Sequence, residues 1–229
     1  TIAALAEAGF PEDELLKAVE NPWDAFAGAD PPLRAAQIPK SGEYRFPMEG
    51  YLFPETYEFP EDATAAEAVA RLARELDRKL ANLPEDWEQR LEELGVTFHE
   101  MLTVASLVER EVVVDRERPL VAGVIYNRLA RGMPLQIDAT VQYLFDEHKE
   151  RLYEKDLQIE SPYNTYLNTG LPPGPIASPG LASIRAALYP EPSDYLFYVT
   201  KKDGSGEHYF GKTYEEHLQN IRKSEAGGG

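Results

Sequence analysis

The stretch TFHEMLTVASLVEREVVV, Thr97 to Val114, decides how the chain is read. Thr97 followed by Glu100 is a capping box, so a helix is predicted to start there. Placing residues at about 100° per position gathers Met101, Ala105, Val108 and Val112 into an apolar stripe. Glu109 lies four residues after Ala105 and seven after Leu102, on the stripe's side. Arg110 points roughly opposite, and Glu111 falls near the stripe's other edge. A carboxylate on a core-facing stripe is costly to bury as an anion, so burial favours the neutral acid. A protonated carboxyl in a partly apolar cleft suits a general acid for glycosidic cleavage. The alternative makes Glu109 a buried ion-pair partner of an arginine such as Arg118 or Arg128, and helix geometry leaves both readings open.

Upstream, Ala63 to Leu83 is an amphipathic helix, with Ala66, Val69, Leu72, Leu76 and Leu80 at helical spacing. Tyr44 to Phe59 is dense in aromatics and reads as short strands and turns. Before it, Thr1 to Leu5 looks like a helix already under way, and a second helix follows Pro11 over Glu12 to Glu20. Asn21 to Pro39, with Pro31-Pro32 as a firm break, reads as a linker. Residues 1–38 are thus read as the remnant of a small N-terminal module plus linker.

Downstream, an apolar helix runs from about Pro119 to Leu129 and stops at Gly132. Thr140 to Phe145 continues as helix or strand. Residues 161 to 192 hold seven prolines and are predicted to be irregular, while Tyr163, Tyr166, Leu167 and Ile176 favour an ordered loop. Tyr195 to Thr200 and Glu207 to Phe210 flank Asp203-Gly204-Ser205-Gly206, a hairpin signature. A helix from about Thr213 to Arg222 follows, and residues 223–229 read as a disordered tail. Helices and short antiparallel strands in mixed order, without repeated βαβ units, predict an α+β fold.

Composition narrows the function. In 229 residues the hydrophobic share is 43%, enough for a real core, and no apolar run reaches a membrane span. The net charge of −17 argues against nucleic acid as a partner, because a polyanion needs its phosphates neutralised. Without cysteine there is no disulfide scaffold, thiolate nucleophile or cysteine zinc site. His99-Glu100 begins like a zinc-protease motif, but Thr103 stands where the second ligand belongs. His148, His208 and His217 are scattered and read as surface residues. Neither a Gly-rich phosphate loop nor a G-x-S-x-G elbow occurs, so no metal or cofactor is implied. Tyr163-Asn164-Thr165-Tyr166, with Gln136, Asp138 and Asn127, combines flat faces with hydrogen-bonding tips, as carbohydrate sites do. Packing of the proline-rich loop explains the same tyrosines equally well.

Several long motifs in order carry a resemblance: EGYLFPETY at Glu49–Tyr57, ASLVERE at Ala105–Glu111, and Glu117 to Thr140 ending VIYNRLARGMPLQIDAT. SPYNTYLNTGLPPGPIASPG at Ser161–Gly180 and the YLFYV…HYF hairpin complete it. Over about residues 42–222 the chain resembles the endolytic murein transglycosylases of the MltG/YceG-like family. That resemblance implies a catalytic domain over 42–222 and cleavage of the β-1,4 bond between N-acetylmuramic acid and N-acetylglucosamine without water, leaving 1,6-anhydromuramic ends. It places the acid, and then base, on Glu109, as first glutamate of the helix motif. Glu49, Gln136, Asp138, Thr140, Tyr163, Asn164, Thr165 and Tyr166 become cleft residues. It also implies a LysM-like origin for residues 1–38, a missing N-terminal membrane helix, and an address on the outer face of the cytoplasmic membrane. The implied partners are peptidoglycan strands and the strand-synthesising machinery.

Two other readings compete. A glycoside hydrolase would pair Glu109 with Asp138, Glu49 or Glu55, at about 5–5.5 Å if retaining or 6.5–9.5 Å if inverting. A non-catalytic peptidoglycan-binding module would use Glu109 only as an ion-pair partner.

Overall fold

The computed structural model describes residues 2–22 and 32–228. Its helices are α1 (Ile2–Glu7), α2 (Glu12–Glu20), α3 (Ala65–Leu80), α4 (Trp87–Leu94), α5 (Phe98–Glu111), α6 (Arg118–Ala130), α7 (Asp138–Gln142), α8 (Leu181–Leu188) and α9 (Tyr214–Gly227). Strands β1 (Phe197–Thr200) and β2 (His208–Gly211) form an antiparallel hairpin, giving the expected α+β fold.

α5 is the central element. Its capping box is complete: Thr97 Oγ1 accepts from the Glu100 amide at 3.2 Å, and Glu100 Oε2 accepts from the Thr97 amide at 2.8 Å. From Phe98 to Val108 every residue except Glu100 is buried, because α6, α7 and α8 all pack against this helix. A single apolar stripe is therefore the wrong picture of α5. Its buried hydroxyls are satisfied locally, with Thr103 Oγ1 donating to the His99 carbonyl at 2.8 Å and Ser106 Oγ to the Thr103 carbonyl at 2.7 Å.

α1 packs on α2 and α2 on α3, with Leu15 and Val19 buried in the core that α3 and α5 share. Phe10 meets Phe59 edge-on at 5.1 Å between ring centres. Residues 23–31 of the expected linker, Pro31 among them, lie outside the described residues. Among those described, no helix is long and apolar enough to cross a membrane.

Three local expectations change, and one left open is decided. Tyr44 to Phe59 forms turns without a strand: Tyr51, Leu52 and Phe53 are buried against helices, and no strand lies beside them. The Phe53 amide instead donates to the Leu72 carbonyl of α3 at 3.2 Å. Thr140 to Phe145 resolves into the end of α7 and a turn. The proline-rich segment contains α8, since Pro179 and Pro190 bracket an interval without proline that is long enough for two turns. α9 continues past Arg222 into the stretch read as a tail, where Ser224 Oγ donates to the Thr200 carbonyl at 2.7 Å.

Candidate active site

Three side chains of α5 hold the proline-rich loop along the helix. His99 Nε2 donates to the Pro173 carbonyl at 2.8 Å, which fixes the tautomer and leaves Nδ1 to accept from Tyr51 Oη at 2.8 Å. Burial holds the His99 imidazole below the usual histidine range, favouring this neutral form. Ser106 Oγ accepts from the Ile176 amide at 3.0 Å. The third is Glu109, whose Oε2 accepts from the Gly180 amide at 3.1 Å and from Ser183 Oγ at 2.7 Å.

Glu109 also meets Arg118 Nη1 at 3.4 Å, and that nitrogen donates to Ser183 Oγ at 2.7 Å. Its side chain is 31% exposed and sits among donors, not apolar groups. Glu109 is therefore built as a bonded carboxylate that ties α5 to the loop, α8 and the start of α6. Of the two arginines weighed, Arg118 is the partner. Arg128 is buried elsewhere, donating to the carbonyls of Leu196 at 2.6 Å, Pro134 at 3.0 Å and Leu135 at 2.7 Å.

Glu111, at the end of the same helix, has a different environment. Tyr198 Oη of β1 donates to its Oε2 at 2.9 Å, and Oε1 has no protein partner among the described residues. Burial pushes the carboxyl up to about 7, with the negative charge of Asp138 adding to the shift; the Tyr198 hydrogen bond and Arg110 oppose it. Asp138, exposed at the start of α7, accepts from Tyr166 Oη at 2.5 Å. Desolvation of the Tyr198 hydroxyl and the Glu111 charge hold this phenol well above its ordinary range.

The other cleft residues separate into two groups. Gln136, Asp138 and Tyr166 remain reachable from solvent. Gln136 adopts φ 53, a left-handed conformation that is uncommon without glycine, and its amide donates to the Thr165 carbonyl at 3.1 Å. Thr140, Tyr163, Asn164 and Thr165 are buried braces. Thr165 Oγ1 accepts from the Ile137 amide at 3.0 Å and lies 2.9 Å from Thr140 Oγ1. Asn164 Nδ2 donates to the carbonyls of Leu157 at 3.0 Å and Ile159 at 2.8 Å. Asn127 is likewise committed, donating to the carbonyls of Ser193 and Tyr195. Glu49 lies by Tyr143, Tyr163 and Arg45, and burial raises its carboxyl above the usual range. Glu55 pairs with Lys79 of α3. His208, read from sequence as a surface residue, is buried against Glu117, with Nδ1 and Oε2 2.7 Å apart.

Sequence reasoning passed over Glu111 and its partner Tyr198. Helical phase put Glu111 at the stripe's edge, and nothing local marked Tyr198 as the hydrogen-bond donor. Only the hairpin's packing brings the two together.

The sequence model of the YceG-like family matches residues 3–223. The chain is 44% identical over 173 residues to an endolytic murein transglycosylase of Bacillus subtilis (strain 168), covering 76% of this chain and 47% of that protein. A protein of the same name from Streptococcus pneumoniae serotype 2 (strain D39) is 33% identical over 213 residues, covering 90% of this chain and 38% of that protein. The chain thus spans less than half the length of these relatives. A crystal structure described as a yceG-like protein of Listeria monocytogenes superposes with a TM-score of 0.77 at 38% identity, covering 92% of this chain and 67% of that one. On the matched stretch and these identities, the chain belongs to the YceG-like family.

Proposed function

We propose that this chain carries the catalytic part of an endolytic murein transglycosylase, with Glu111 in place of Glu109 as its single acid and base. One observation carries the assignment: Glu111 is a partly buried carboxyl raised to about 7, with one oxygen unpartnered among the described residues, beside Asp138 and Tyr166. A general acid needs a transferable proton near neutral pH. Glu109 instead accepts from three donors and holds the loop in place.

In this reading a glycan strand lies against Glu111, Asp138, Tyr166 and Gln136. Neutral Glu111 gives its proton to the glycosidic oxygen as the bond from muramic acid C1 to that oxygen breaks. Positive charge spreads over C1 and the ring oxygen, where the Asp138 carboxylate and the sugar's own acetamido group counter it. The Glu111 carboxylate then removes the proton from the C6 hydroxyl, whose oxygen closes onto C1 to form the 1,6-anhydro ring. Glu111 ends protonated and the cycle repeats. Water must be kept from C1 during this interval. The proline-rich loop, held to α5 at His99, Ser106 and Glu109, forms the wall that does so.

The relatives' printed names support murein as the substrate. The family resemblance further supports membrane attachment of the full-length protein and work beside strand-synthesising enzymes. A second reading, hydrolysis, draws on Asp138 as a carboxylate near Glu111. Mass spectrometry of purified glycan strands after incubation separates the two: the transglycosylase product is lighter by one water than the hydrolytic one. A product with an ordinary reducing end overturns the first reading and supports the second.

A further inference from the structure

We infer that Tyr198 is the positioning residue of the acid: by donating to Glu111 Oε2 it leaves Oε1 as the oxygen that carries and delivers the proton. The inference rests on Glu111 being the acid, as argued above.

In a neutral carboxyl the carbonyl oxygen is the better acceptor, so a donor fixed on Oε2 selects the tautomer with its proton on Oε1. The distance is 2.9 Å, and Oε1 has no protein partner among the described residues. Tyr198 is itself held from two sides. Its ring meets His208 edge-on at 5.4 Å, with 89° between planes, and stands opposite Phe210 in the hairpin. His208 is in turn fixed by Glu117 at the start of α6, through its ring nitrogen at 2.7 Å and its amide at 3.1 Å. The phenol is thus held against β2, which Glu117 ties to the start of α6, and it reaches the last residue of α5.

The hydrogen bond also follows the reaction. When Glu111 gives up its proton, the donor on Oε2 becomes charge-assisted and strengthens, so it stabilises the carboxylate formed in the first step. The phenol, held well above its ordinary range, keeps its own proton throughout. The other charged or titratable groups around the pair are Asp138 of α7, Tyr166 of the loop, Arg128 of α6 and Arg110 of α5. None of these donates a hydrogen bond to Glu111 among the described residues. Among the described residues Tyr198 is the single group that donates to Glu111 and so distinguishes its two oxygens.

The test is Tyr198→Phe, which removes one oxygen and keeps the ring. The Glu111 carboxyl is followed by carbon-13 NMR in the full chain without glycan, alongside the pH profile of cleavage of purified glycan strands. The inference predicts that Glu111 titrates about one pH unit higher in the variant. The alkaline limb of kcat moves up with it, while kcat below pH 6 falls about tenfold and KM changes less than about twofold. Site-specific 3-fluorotyrosine at position 198, a more acidic donor, moves the titration the other way and serves if the phenylalanine variant does not fold. Unchanged Glu111 titration in a folded variant overturns the inference. Should the protein cleave no glycan at all, the proposed function fails, while the NMR titration still decides the role of Tyr198.

Discussion

Glu109 and Glu111 stand two positions apart at the end of α5 and are bound from different sides. Glu109 Oε2 receives Ser183 and Gly180 from α8 and the loop before it, with Arg118 behind. Glu111 Oε2 receives Tyr198 from the hairpin. Positions i and i+2 on a helix do not face each other, so the two carboxyls take separate partners at the end of α5.

The first prediction concerns stability against pH. The folded-state value of Glu111 is raised above the unfolded one, so the fold favours its protonated form. Its contribution is fully present below the ordinary glutamate range and is lost as pH rises through about 7. Glu111→Gln removes that loss. After allowing for water reaching a partly exposed carboxyl, the variant should be more stable than the parent by about 2 kcal/mol at pH 8 and nearly equal at pH 4. Thermal unfolding at both pH values checks this, and an equal effect at the two would contradict the assigned environment.

Removing the brace acts in the opposite direction. Glu109→Ala leaves Arg118 without one of its two acidic partners and the Gly180 amide without an acceptor. It should destabilise the fold by about 2 kcal/mol. Urea unfolding measures this, and a change below about 0.5 kcal/mol would show that the bonds to Glu109 carry little.

His99 makes the loop sensitive to acid. Its folded-state value is depressed, so the associated stability is present above the ordinary imidazole range and is lost as pH falls below it. Protonated Nδ1 cannot accept from Tyr51 Oη, so this bond must reverse, with the ring nitrogen donating and the buried hydroxyl giving up its acceptor. Hydrogen exchange should show the Ile176 amide losing protection as pH is lowered from the ordinary imidazole range towards acid, after correction for the intrinsic rate. Constant protection over that fall in pH would refute the role given to His99.

How much could be read in advance varies along the chain. The start of α5 was legible because Thr97 and Glu100 cap each other within one turn, and the hairpin because its glycine-rich turn is local. α+β followed from the same kind of evidence. The aromatic run Tyr44 to Phe59 misled because its rings suit a strand equally well, and only the helices they pack on decide otherwise. The choice between Glu109 and Glu111 is not local at all. Of the three donors to Glu109 only Arg118 is near in sequence, nine residues on; Gly180 and Ser183 lie 71 and 74 residues away, and the partner of Glu111 lies 87 away. Helical phase cannot see them.

Gly50 tests the turn behind the loop. It has φ +86, and a Cβ there would lie 2.6 Å from the Pro175 side chain. Gly50→Ala should cost about 2 kcal/mol or more and loosen the loop against α5. A denaturation midpoint equal to the parent's would mean that the two segments are less closely fitted than described.

The most direct measurement is the rate of glycan-strand cleavage by the parent, Glu111→Gln and Glu109→Gln, with products read by mass spectrometry. The account predicts that Glu111→Gln lowers kcat at least about a thousandfold, while Glu109→Gln keeps the anhydro product and loses about tenfold or less. An inactive Glu109→Gln that folds normally, beside a Glu111→Gln that still cleaves, would contradict it and return the acid to Glu109.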